Sequence, residues 1–272
     1  MEVPMERGLP IDARRYSDWE EKFEGYRRPI SQGKIQRWLE QFDAEDQDTA
    51  ARLLDSVAYF SLPHISAAYR QLLAALPGWS ENEAHRAGKW RFVPFSGSVG
   101  ESGDSMVHEF RIANRMTSAR YKEMFIHRSD LVRENLTADD TVVLIDDFSG
   151  TGQQATEAWG RQFSELLFSS PRVYLILVAA DYRGIEKVTS ETPIEPAVFR
   201  IFDRDDNLKS TPYFDDAEKE TIEGYCKKAN PSIPLGYGEL GIVAVFHHRC
   251  PNSSLAVLHS RKNNWEPLFP RV

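Results

Sequence analysis

Cysteine is scarce in this chain: only Cys226 and Cys250 occur, in unrelated contexts. That argues against a disulfide framework and reads as two reduced thiols of a cytoplasmic protein. Long apolar runs are missing as well. None approaches the roughly 20 residues needed to cross a bilayer, and the opening MEVPMERGLPIDARRYSDWEEKF lacks the apolar centre of a secretory signal. Neither a membrane partner nor export is expected. Positive charge is not in excess either. A net charge of −8 at pH 7 argues against a whole-surface nucleic-acid binder, which needs clustered Lys and Arg. Nucleic acid would be reached only through a partner.

What is present is ordinary globular material: 272 residues, 41% hydrophobic and 27% charged, enough to bury a sizeable core. Arg14, Arg15, Arg27 and Arg28 give the N-terminus a basic character, and Asp203 to Glu223 is acidic. Both read as solvated faces.

Periodicity divides the chain. Residues 1–34 show none and read as an irregular arm. Residues 35–86 read as a helical section, with apolar stripes at Ile35, Trp38, Leu39 and Phe42, then Leu53, Val57 and Phe60, then Ile65, Ala68, Tyr69 and Leu72. From residue 87 the pattern becomes α/β. KWRFVPF, TVVLIDD (141–147), RVYLILVAAD and AVFRIFD read as strands, YKEMFIH as a further one. Helices are expected over 106–116, 153–168 and 215–230, with a short one at GIEKVTS. Strand–helix–strand alternation implies a parallel sheet with right-handed crossovers. LGIVAVFHH and SLAVLHS, flanking the turn CPNS, read as a C-terminal β-hairpin extension.

The chemistry concentrates in TVVLIDDFSGTGQQ. An apolar strand ends on Asp146 and Asp147, and in open parallel sheets ligands gather at the carboxyl ends of strands. The loop Ser149-Gly150-Thr151-Gly152 then enters a helix at Gln153. Its glycines let backbone N–H groups turn toward a phosphate, Ser149 and Thr151 add hydroxyl donors, and the helix start adds a positive dipole end. Paired carboxylates one step before an anion cradle suit a sugar phosphate: phosphate in the cradle, Asp146 and Asp147 accepting from vicinal hydroxyls or positioning a hydrated Mg²⁺. The order of apolar strand, two acids, two variable residues, small residue, Thr and Gly resembles the ribose-phosphate motif of type I phosphoribosyltransferases. That likeness assigns catalysis to Asp146 and Asp147 and 5′-phosphate binding to Ser149, Gly150, Thr151, Gly152 and Gln153. Gln154 departs from it, standing where a small hydroxyl residue is usual.

Other readings stay beside this one. The stretch is also a capped strand before a glycine turn. Gly150 to Ala155 formally matches G-x-G-x-x-A, a dinucleotide fingerprint. That motif wants an acidic residue about 20 positions on, and the candidate, Asp181, comes later. A nucleoside-triphosphate P-loop is excluded because no Lys follows the glycines. The loop after the first α/β strand, 96–105, holds the place of a pyrophosphate loop, with Ser96, Gly97, Ser98, Gly103, Asp104 and Ser105 as candidates. It has no Lys or Arg, so pyrophosphate would need Mg²⁺, backbone amides or a cation from elsewhere, such as Arg111 or Arg183; a flexible turn is the plain alternative. His247, His248, Cys250 and His259 fit no common zinc spacing, and strand alternation points His247 and His248 to opposite faces.

The C-terminal third carries a closer likeness. Pro234-Leu-Gly-Tyr-Gly238, then VAVFHHRCPNSSLAVL, then Trp265 to Arg271, together with Gly103-Asp-Ser105, resemble a bacterial family of phosphoribosyltransferase-like conflict-system effectors, over about Ile35 to Arg271. His248, Pro251 and Asn252 fall on matching positions. Arg249, Cys250 and His259 stand where that family has Asn, Thr and Trp. The resemblance implies a type I phosphoribosyltransferase-like α/β fold with an N-terminal helical section. It also implies an anti-phage effector handling phosphoribosyl pyrophosphate or a nucleotide, with a protein partner from a neighbouring defence gene. A non-catalytic nucleotide sensor that keeps the pocket is the alternative.

Overall fold

The computed structural model describes residues 11–95, 103–167 and 171–271. In chain order its elements are helices α1 (Ala13–Lys22), α2 (Gln32–Leu39) and α3 (Gln47–Ser56), strand β1 (Ala58–Phe60), helix α4 (Leu62–Ala75), strand β2 (Trp90–Pro94), helix α5 (Gly103–Ala113) and strand β3 (Thr141–Ser149). Helices α6 (Gln153–Ala158) and α7 (Ser164–Leu166), strand β4 (Arg172–Asp181), helix α8 (Tyr182–Glu191), strand β5 (Ile194–Phe202), helix α9 (Asp216–Ala229), strand β6 (Ala244–Phe246) and helix α10 (Ala256–His259) follow. They form two compact units, residues 63–203 and residues 1–62 with 204–272, so the helical section read over 35–86 is divided between them.

Unit 63–203 is built on a parallel sheet in the order β2-β3-β4-β5. Val142 to Ile145 and Leu175 to Ala180 are buried, as a central parallel sheet covered on both faces requires. Alternation along β3 divides the packing. Val142 and Leu144 join Ala155 of α6, Phe163 and Val188 of α8 in one core. On the other face Phe110 of α5 meets Tyr69 of α4 and Phe92 of β2, with ring centroids 5.5 and 5.3 Å apart. Residues 121–127 are not a strand: a 3-10 helix runs over Ala119–Met124, and only Phe125 bridges to Phe92. The apolar run there is interrupted by Lys122 and Glu123, and burying Tyr121 with Met124 is the i, i+3 spacing of a 3-10 turn.

The other unit corrects four readings. Residues 13–22 are helix rather than irregular arm, capped by Asp12, which accepts from the Arg15 amide at 3.0 Å. Arg15 is not solvated; it is buried and pairs with Asp55 at 2.6 Å, while the Trp19 indole N–H donates to the same carboxylate at 2.7 Å. Phe60 lies not on a helix but on β1, which pairs in parallel with β6 and stacks Phe60 on Phe246. The expected hairpin is absent, because 256–259 is helical. Leu255 to Leu258 are all fully buried, so the run carries no alternation to separate a strand from a helical turn. The Val257 carbonyl accepts from the indole N–H groups of Trp38 and Trp265, at 3.0 and 2.9 Å. Among the described residues, no helix is long and apolar enough to cross a membrane.

His259 sits inside this unit with its ring Nε2–H donating to the Ser254 carbonyl at 3.1 Å. Burial, aided by the Arg271 charge, outweighs that hydrogen bond and lowers its pKa from 6.5 to about 4. Between those values the unfolded chain binds a proton that the native ring refuses, so stability falls as pH drops through this window, by up to about 1.4 kcal/mol per pH unit. Urea unfolding at a series of pH values should show a shallower slope between about pH 6.5 and 4 in His259→Gln than in the unmodified chain. Equal slopes would contradict the assignment.

Candidate functional site

Strand β3 brings Asp146 and Asp147 to the carboxyl edge of its sheet with both side chains buried, at 4% and 0% exposure. Each is fixed by the amide that follows it: Asp146 Oδ1 accepts from the Asp147 N–H at 2.9 Å, and Asp147 Oδ1 from the Phe148 N–H at 2.8 Å. From α4, the Tyr69 hydroxyl donates to the Asp146 carbonyl at 3.1 Å. Burial, reinforced by the charges of Asp147, Asp146 and Glu109, raises the Tyr69 pKa far above its usual value. The hydroxyl therefore remains a donor and holds the strand end in place.

Gly152 starts α6 in the left-handed region, at φ +73°, a conformation that favours glycine. Space also demands it: a Cβ there would lie 2.6 Å from the Gly184 carbonyl oxygen, and a Cβ on Gly184 would lie 2.1 Å from that of Gly150. The backbones of the loop and of α8 therefore touch with no side chain between them. The Gln153 amide donates to Thr151 Oγ1 at 3.4 Å, and Ser149, Gly150 and Thr151 are half-buried.

The same contact brings up Arg183. Asp181, fully buried, caps α8 by accepting from the Arg183 amide at 3.0 Å. It also takes the guanidinium in two hydrogen bonds, from Nε at 2.8 Å and Nη2 at 2.9 Å. Arg183 is thus carried beside the loop with its charge balanced by Asp181. Asp181 is spent on this cap, which removes the acidic partner that a dinucleotide reading of Gly150 to Ala155 requires.

The other sequence candidates divide. Ser96, Gly97 and Ser98 lie outside the described residues. Gly103 is buried at the start of α5, with Asp104 and Ser105 exposed in its first turn. Arg111, later on α5, lays its guanidinium over the Phe125 ring at 4.8 Å, and its Nε is buried without an acceptor. His248 belongs to the other unit, in the turn after β6. Its ring lies 4.9 Å from that of His247, which overturns the opposite-face expectation, because β6 ends at Phe246 and alternation stops there. Sequence reasoning missed Tyr69, which its helical stripe marked only as core, and Gly184. The one signal for Gly184 was a glycine in the first turn of an otherwise good helix.

A parallel sheet with flanking helices, a carboxylate pair at a strand end and a glycine turn into the next helix make this a phosphoribosyltransferase-like α/β protein. The PRTase-CE family model matches residues 35–271, and the chain belongs to that family of phosphoribosyltransferase-like conflict-system effectors. No curated protein matches it.

The glycine contact has a measurable signature. Gly152→Ala and Gly184→Ala should each cost at least about 2 kcal/mol in urea unfolding, through positive φ and backbone overlap. Gly224→Ala, in α9 with nothing within 4 Å of its Cβ, should instead be neutral or stabilising by up to about 1 kcal/mol. Equal effects at all three positions would remove the contact from the account.

Proposed function

We propose that unit 63–203 binds a ribose 5-phosphate, as phosphoribosyl pyrophosphate or a nucleotide, and acts at its anomeric carbon. One observation carries this reading: two adjacent buried carboxylates lie near the carboxyl end of the central strand, two residues before a glycine loop held against α8. Asp146 and Asp147 accept hydrogen bonds from the vicinal ribose hydroxyls. Their negative charge favours the positive charge that develops on the anomeric carbon as its bond to the leaving group breaks, the electron pair departing with pyrophosphate or base. A base nitrogen or water then forms the new bond. Ser149 to Gln153 grip the 5′-phosphate, and this remote binding energy positions the reacting carbon. Carboxylate oxygens suit Mg²⁺; Asp146 and Asp147 would hold it, and the ion would offset the charge of a pyrophosphate leaving group. The protein works from the cytoplasm beside a partner encoded by a neighbouring defence gene.

A second reading, a nucleotide sensor without turnover, is favoured by one feature. Arg183 is already committed to Asp181, and the loop 96–105 supplies no cation of its own. Pyrophosphate release from phosphoribosyl pyrophosphate and Mg²⁺, with and without nucleobase, separates the two readings.

Ribose 5-phosphate at a hundredfold excess over Kd should stabilise the chain by about 2.7 kcal/mol, read as a rise in Tm. Asp147→Asn, which keeps an acceptor for the Phe148 amide, should remove most of the rise while leaving the ligand-free Tm nearly unchanged. A full ligand shift in that variant would sink the assignment. In a bacterial host with its neighbouring genes, Asp146→Ala/Asp147→Ala should lose phage protection at normal protein level. Leu144→Ala, fully buried, should cost about 2–5 kcal/mol and deplete the protein. A folded double variant that still protects would move the active element elsewhere.

A further inference from the structure

Unit 63–203 holds a pocket of about 460 Å³, lined by Glu81, Asn82, Glu83, Arg86, Arg120 and Tyr121. Its place in the fold follows from the register. Arg86 precedes β2, whose first residue, Trp90, pairs with Thr141 at the start of β3. Tyr121 precedes Phe125, the bridge partner of Phe92. The pocket therefore lies at the amino end of the edge strand, whereas Asp146 and Asp147 lie at the carboxyl end of its neighbour.

The chemistry of its two arginines is unusual for this chain. Acidic residues outnumber basic ones by 41 to 33, so carboxylate partners are not in short supply. Yet neither Arg86 nor Arg120 makes an ion pair among the described residues. Arg86 lies over the Trp79 ring at 5.2 Å, its Nη1 reaches only the Met124 sulfur at 3.2 Å, and its Nε is buried without an acceptor. Arg120 lies over the Tyr121 ring at 4.5 Å and donates from Nη2 to the Tyr121 hydroxyl at 2.7 Å. Resting a guanidinium on an aromatic ring fixes its plane and leaves edge donors for a planar or tetrahedral oxyanion. Two such cations lining one pocket repel each other until an anion joins them. Glu81 and Glu83 are exposed at the same pocket and oppose an extended polyanion, which favours a small ligand over nucleic acid.

We propose that this pocket binds the phosphate group of a small phosphorylated metabolite, with Arg86 and Arg120 as paired donors. The proposal is independent of the reading of Asp146 and Asp147. The test is a thermal-shift and calorimetric titration of the full chain with inorganic phosphate, and with glycerol phosphate as a phosphomonoester, against chloride at matched ionic strength. Both should raise Tm saturably in the unmodified chain and in Asp147→Asn. Affinity should fall at least tenfold in Arg120→Gln, which sits at an exposed position, and in Arg86→Gln. Arg120→Lys, which keeps the charge but loses the fork, should fall between. Should Arg86→Gln lose its fold, the Arg120 variants decide alone. Binding of phosphate but not of the monoester would restrict the site to the free ion and overturn the metabolite assignment. No rise above the chloride control in Asp147→Asn, or in that background a rise undiminished by Arg120→Gln, would overturn the site altogether.

Discussion

The candidate site depends on the contact between two backbones: Gly150 and Gly152 of the loop after β3 against Gly184 of α8. A side chain on either side of that contact would force the loop off the helix. With none, the loop is held where its amides follow directly on two buried carboxylates. The contact also fixes the first turn of α8, where the fully buried Asp181 holds Arg183 by three hydrogen bonds. Elements that lie far apart in sequence thus meet at a contact to which no side chain contributes.

The cost of the arrangement is concentrated in Asp146 and Asp147. Carboxylates in a central strand are expensive to bury, and the backbone offsets part of that cost by turning the following amide onto each Oδ1. Tyr69 adds a donor to the Asp146 carbonyl from behind the strand. A merely structural strand end would be more simply built from apolar residues. The ribose binding proposed above would give these two acids, in a chain that belongs to the PRTase-CE family, a role that repays their burial.

Much of this was legible in the sequence, and the losses have physical reasons. The central strands were clear because β-branched runs between turn residues have few alternatives. The carboxylate pair and glycine loop were clear because they are contiguous. Helix α1 was not: its buried face includes Arg15 and Trp19, and a buried arginine disguises the stripe until Asp55 is known to answer it. β1 was opaque because it is three residues long and owes its form to β6, itself the part of LGIVAVFHH that is strand. The run Leu255 to Leu258 misled because full burial erases periodicity. The role of Gly184 was invisible because it exists only through contact with another element, and the same is true of the arginine pocket, whose two halves lie on either side of β2 and α5.

The central claim is that Ser149 to Gln153 cradle a phosphate beside the Asp146–Asp147 pair. Backbone amide NMR on titration with ribose 5-phosphate tests it most directly. Saturable shifts of the Ser149, Gly150, Thr151, Gly152 and Gln153 amides, together with those of Asp147 and Phe148, are expected at one common Kd. Saturable binding that leaves these amides unmoved would contradict it.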